Sequence, residues 1–166
     1  GVCPEMVIAT ISGGDNYYMD FHDKSAMWET FLVEEFIPFL IRTCNCGATR
    51  DLRYLMGGSM GGNGALKLAF RHPDKFAAVA VFEPAIDAAL EPGQLTERNH
   101  QWAQSASTQG GGMIITQMWG GVTPHYDSLH YRLHNPASIA NDNAESIREH
   151  NLKIYLDVGD RDCLNL

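Results

Sequence analysis

The sequence predicts an α/β domain built on a doubly wound, mostly parallel sheet with helices on both faces. Three observations predict it. Strand-like and helix-like stretches alternate along the chain in the order strand, helix, strand, helix, strand. The run Phe76-Ala-Ala-Val-Ala-Val-Phe82 is apolar at every position, as expected of a strand covered on both faces. A glycine-rich turn from Gly57 to Gly64 stands between a strand and a helix, where α/β folds place their reactive loops. With 166 residues, 45% of them hydrophobic and 19% charged, residues 1–166 suit a single domain with a real core.

Met6-Val-Ile-Ala-Thr-Ile11, closed by Ser12-Gly13-Gly14-Asp15, reads as a short buried strand entering a loop that runs on through Asn16-Tyr17-Tyr18-Met19-Asp20. Trp28, Phe31, Leu32, Phe36, Phe39 and Leu40 then recur at three- and four-residue steps, the stripe of an amphipathic helix. Pro38 is expected to kink or locally break that helix, and Gly47 to stop it. Leu52 to Met56 is the second predicted strand. The helix that follows the glycine-rich turn is expected to end at His72-Pro73, where proline forbids continuation. Phe76–Phe82 is the third strand. From about residue 84 to 150 the chain reads as an irregular, cap-like excursion outside the core, with Gly110-Gly111-Gly112 and Gly120-Gly121 within it. Leu152 to Val158 is the fourth strand, closed by Gly159-Asp160-Arg161-Asp162.

Composition excludes several function classes. The net charge of −8, without a basic stripe, argues against nucleic-acid or anionic-membrane partners. No apolar run approaches the ~20 residues that span a bilayer. Cys3, Cys44, Cys46 and Cys163 form neither a CxxC pair nor a zinc-ribbon spacing and read as unlinked or simply structural thiols. His125, His130 and His134 do not follow H-E-x-x-H, so no metal is expected.

Gly57-Gly58-Ser59-Met60-Gly61-Gly62 fits G-x-S-x-G at Gly57, Ser59 and Gly61. A sharp strand-to-helix turn lifts the serine Oγ clear of the sheet edge, and small flanking residues let backbone pass close by. The helix start offers partial positive charge and the N–H of Met60 to a developing oxyanion. Other glycine-loop chemistries fail on inspection. Asn63 follows Gly62 where a phosphate-binding loop needs G-K-[ST], and no three glycines supply G-x-G-x-x-G. No cofactor is implied.

Gly58-Ser59-Met60-Gly61-Gly62, His72-Pro73-Asp74-Lys75-Phe76 and Trp28-Glu29-Thr30-Phe31-Leu32 together resemble the Putative esterase branch of the α/β-hydrolase superfamily. That branch includes feruloyl and acetylxylan esterases, esterase D and the antigen 85 mycolyltransferases; the tryptophan segment is most like the last. The resemblance implies a serine ester hydrolase acting through an acyl-enzyme, or a mycolyl-type acyltransferase. A third reading is a non-catalytic binding module with an idle elbow. The implied substrate is an acylated sugar, a polysaccharide or another short acyl ester, met in a secreted or periplasmic setting. Tyr17 and Tyr18 resemble the aromatic segment that borders the acyl site. Asp162, in the Gly159–Asp162 turn, matches the acid that orients the catalytic histidine, with Asp160 next and Asp157 after it.

The same resemblance marks two absences. The family's histidine follows the acid, yet only Cys163, Leu164, Asn165 and Leu166 come after Asp162. A strand ahead of residue 1, which also donates the second oxyanion N–H, belongs in the family's sheet between Met6–Ile11 and Leu52–Met56. These residues are therefore expected to be the central portion of the domain, with a sheet gap that something must fill.

Overall fold

A computed structural model describes residues 5–14, 16–86, 118, 120 and 127–160. Among these, three parallel strands form one sheet in the order β1 (Tyr54–Gly58), β2 (Ala78–Phe82), β3 (Lys153–Asp157). The register pairs Gly58 with Phe82 and Phe82 with Asp157, so the carboxyl ends of all three strands lie level. These are the second, third and fourth strands predicted from sequence. β1 starts later than expected, because Arg50–Leu52 forms a 3-10 turn first.

The opening strand is a correction. Residues 6–11 form no strand, and Met6, Val7 and Ile8 are 59%, 53% and 76% exposed. A strand needs a neighbour to satisfy its backbone, and none of the described residues supplies one beside this run. The outer edge of β1 is correspondingly open, with Tyr54 and Met56 exposed.

The tryptophan stripe does form a helix, in three joined pieces: α1 (Trp28–Thr30), a π-helical segment (Phe31–Phe36) and α2 (Ile37–Cys44). Pro38 does not break it. Proline has no N–H and its ring crowds the carbonyl four residues back. The wider π turn, with the Ile37 N–H reaching the Leu32 carbonyl, precedes it and absorbs the misfit. The helix stops at Asn45, in the left-handed conformation, two residues before the expected Gly47.

The 13-residue α3 (Ser59–Arg71) crosses β1 and β2 and is buried continuously from Gly62 to Phe70. Leu66, Ala69 and Phe70 meet Val79 and Val81 of β2 in the core, with Val33 and Ile139 joining them. The described part of the 84–150 excursion is not irregular. It holds α4 (Ser128–Leu133), α5 (Pro136–Asp142) and α6 (Ala144–Glu149), of which α5 packs on α3. Local caps start the first two. The Asp127 carboxylate accepts from the Leu129 and His130 N–H groups at 2.9 and 3.0 Å, and Asn135 caps α5 ahead of Pro136.

Candidate active site

The β1–α3 turn is built by close approach. Gly58 ends β1 in extended conformation, and Ser59 then takes φ 50°, left-handed, while opening α3. A non-glycine residue rarely adopts this conformation, and it persists where the surroundings impose it. A Cβ on Gly57 would overlap the Gly61 carbonyl, so the first glycine of the motif is obligatory. Gly61 is not required in the same way, since a Cβ there meets nothing within 4 Å. Gly62 is the second tight position, with Pro84 2.8 Å from where its Cβ would stand. No sequence motif singles out that contact.

The segment after β2 clamps this turn. The Ala85 N–H donates to the Ser59 carbonyl at 3.0 Å, and the Asn63 side-chain amide donates to the Ala85 carbonyl at 2.8 Å. Glu83, also left-handed at φ 43°, donates its N–H to the Asp157 carbonyl at 2.7 Å. Ser59 is exposed, at the carboxyl edge of the sheet, and the first-turn N–H groups of α3, that of Met60 among them, have no partner within the helix. This edge also carries Glu83, Asp157 and Asp160. Asp162, the acid expected from the resemblance, lies outside the described residues. Glu83 is a carboxylate at the edge that the sequence motifs do not mark.

Tyr17 and Tyr18 fold back onto α3. The Tyr18 ring lies against Gly64, 2.7 Å from where a Cβ would stand. That glycine is five residues past Ser59, about 7.5 Å along the axis at 1.5 Å per residue. The loop therefore meets α3 between one and two turns past Ser59.

The histidines do not. His72 and His134 sit at the Arg71 end of α3, twelve residues or about 18 Å beyond Ser59. There the buried Glu29 carboxylate takes Arg71 and His72, the latter at 3.0 Å, with His134 Nδ1 at 4.0 Å. Burial opposes ionisation of Glu29, but the His72 bond and the Arg71 and Lys67 charges outweigh it and hold the carboxyl below its ordinary value. His134 is held neutral, its pKa lowered first by burial and then by the nearby Lys67, Arg71 and His130. His22 reaches Asp127 at 3.2 Å and stands edge-on to His130, whose ring is 4.5 Å from that of His134. His150 Nδ1 lies 2.9 Å from the Ser146 carbonyl, and the carbonyl of His150 takes the Arg50 guanidinium at the amino edge of the sheet. His100 and His125 lie outside the described residues. None of these contacts brings a described histidine to Ser59. Among the described residues no cluster suits a metal ion, and no helix is long and apolar enough to cross a membrane.

Residues 4–165 match the family described as "Putative esterase". The diacylglycerol acyltransferase/mycolyltransferase Ag85B of Mycobacterium avium is 29% identical over 162 residues, covering 92% of this chain and 44% of that protein. Its Ag85A counterpart in Mycobacterium ulcerans is 30% identical over 122 residues, 69% of this chain and 34% of that protein. The chain thus spans less than half the length of these relatives. An S-formylglutathione hydrolase from Agrobacterium tumefaciens superposes with a TM-score of 0.55 at 18% identity, over 88% of this chain and 55% of that one. At that identity the likeness speaks for the fold alone, an α/β-hydrolase fold. The match over nearly the whole sequence places this chain in the Putative esterase family of the α/β-hydrolase superfamily.

Proposed function

We propose that Ser59 is the nucleophile of a carboxylic-ester-cleaving enzyme that works through an acyl-enzyme. The observation that carries this reading is the left-handed Ser59 itself, exposed at the start of α3 and held there by Gly57, Gly62 and Ala85. A serine whose only role was to begin a helix would need no such conformation. In the reaction, Ser59 Oγ bonds to the ester carbonyl carbon as a histidine base takes its proton. The tetrahedral oxyanion is met by the Met60 N–H, a donor of a kind typically worth about 10²–10³ in rate. Collapse expels the alcohol, which leaves with the proton, and water or an acceptor alcohol then attacks the acyl-serine. Asp162 orients the histidine, and Tyr17 and Tyr18 border the acyl group. Acylated sugars, polysaccharides and other short acyl esters are the substrate class, and an extracellular or periplasmic setting goes with them.

Transfer to an acceptor alcohol is the second reading, supported by the acyltransferase names of the mycobacterial relatives. The first test is labelling with a fluorophosphonate, with the adduct located by peptide mass. We expect the label on Ser59, and Ser59→Ala to lower aryl-ester turnover by at least about 10³-fold. Full turnover by that variant overturns the assignment, and an elbow that neither labels nor turns over, in these residues or in a version extended at both ends, marks a binding module instead. Partition of the acyl group between water and an added sugar separates hydrolase from transferase.

A further inference from the structure

Lys67, in the middle of α3, is 0% exposed, and its Nζ donates to the Tyr17 carbonyl at 2.6 Å. Burial pushes its ammonium down to about 7; Glu29 and Asp20 work against that shift, and Arg71 adds to it. A methionine of similar length would fill the same space without burying an amine, so stability alone does not explain a lysine here. The carbonyl it grips belongs to a turn that does need holding. Tyr17 and Tyr18 are both left-handed at φ 52°. Asn16 accepts the Tyr18 N–H at 2.9 Å and donates its amide to the Gly13 carbonyl. The Tyr18 ring lies where a Cβ on Gly64 or on Gly13 would come within 2.7 or 2.8 Å of it. At the far end of the loop, Asp20 accepts the Thr30 hydroxyl at 2.6 Å and so ties the loop to α1.

We infer that Lys67 is a positioning residue: by gripping the Tyr17 carbonyl it holds the Tyr17–Tyr18 turn against α3 and sets which acyl groups fit beside Ser59. Its link to selectivity rests on the proposed roles of Ser59, Tyr17 and Tyr18; the grip itself does not. The Tyr18 ring also ties the turn to α3, so losing the amine loosens the loop at its strained point while the helix keeps its packing.

The test compares Lys67→Met and Gly64→Ala with wild type on 4-nitrophenyl acetate and 4-nitrophenyl octanoate, alongside amide hydrogen exchange. For Lys67→Met we expect KM for the octanoate to rise roughly tenfold with kcat held within about twofold, and KM for the acetate to stay within about twofold. Exchange at residues 16–20 speeds up while α3 keeps its protection. Gly64→Ala, which displaces Tyr18 with Lys67 intact, shifts the ratio of the two KM values the same way. An unchanged KM ratio, an equal loss on both esters, or unaltered exchange at residues 16–20 overturns the inference. If Lys67→Met does not fold, the wild-type protein decides the matter: NMR coupling between Lys67 Nζ and the Tyr17 carbonyl sustains the grip, and its absence refutes it. Failure of wild type to label with fluorophosphonate counts against Ser59 alone, because the exchange and coupling data judge the grip independently.

Discussion

At its amino end α3 meets its neighbours through residues with almost no side chain, whereas toward its carboxyl end it meets them through charge. Gly57, Gly62 and Gly64 let the Gly61 carbonyl, Pro84 and the Tyr18 ring approach to contact distance. Further along the helix, Lys67, Arg71 and His72 gather around Glu29 and His134. The first arrangement leaves the serine exposed with free N–H groups beside it. The second engages both Glu29 oxygens, one with Arg71 and one with His72. One helix thus carries an open end, where we propose the nucleophile, and a structural end. Glycine packing leaves first-turn backbone donors open, whereas the buried carboxylate engages Arg71 and His72.

Perturbations at both ends probe that contrast, the largest expected effect first. On the proposed role of Asp162, Asp162→Asn is expected to lower kcat by about 10³–10⁴-fold, as when a histidine loses its orienting acid. Glu83→Gln should change it by less than about threefold, because its backbone, not its carboxylate, makes the contact seen at the edge. Steady-state kinetics of the two variants decide this, and the reverse order would move the acid to Glu83. Gly57→Ala drives a Cβ into the Gly61 carbonyl and should cost about 3 kcal/mol while also slowing fluorophosphonate labelling. A variant that keeps wild-type stability in urea would refute the close-approach account of the elbow.

At the charged end, Glu29→Gln leaves Arg71 and His72 without their counter-charge. It should destabilise the fold by about 2 kcal/mol, reduced from the fully buried case because Arg71 is partly exposed. Aryl-ester kcat should be unaffected at permissive temperature, and a parallel loss of kcat would deny the separation of the two ends. The smallest effect is one of pH. The folded state holds His134 neutral with its pKa below the ordinary 6.5, so the unfolded chain binds the proton more readily. Stability on this account is full above 6.5 and declines as pH falls from there toward the depressed folded value. His130, whose pKa is also lowered, chiefly by burial, adds to the slope. Melting temperatures of wild type and His134→Gln between about pH 5 and pH 7 check this, with the variant's slope the shallower. Identical slopes would show that His134 does not titrate with unfolding.

Much of the site's position is legible in the sequence alone. The G-x-S-x-G spacing between an apolar strand and an amphipathic helix locates Ser59, and the left-handed φ bears out the sharp turn expected there. The motif's second glycine is a poorer guide. Gly61 has open space around it, and the crowded positions are Gly62 and Gly64, which depend on Pro84 and Tyr18 from elsewhere in the chain. The helices of 128–149 are hidden by the glycines ahead of them, although Asp127 and Asn135-Pro136 are readable cap signals. Lys67 looks like an incidental polar residue of α3, and nothing local marks it as buried.

By itself, then, the sequence determined what depends on near neighbours: strand and helix periods, the turn that lifts Ser59, and where proline ends α3. Tertiary structure decided what depends on partners far along the chain. Met6–Ile11 has a strand's composition but no neighbour among the described residues to pair with, so it forms no ladder. Glu29 reaches His72 across 43 positions, and Lys67 reaches Tyr17 across 50. A backbone hydrogen bond within a helix is written into a few adjacent residues. A ladder partner or a counter-charge is not, and its free energy exists only once the fold has brought the two groups together.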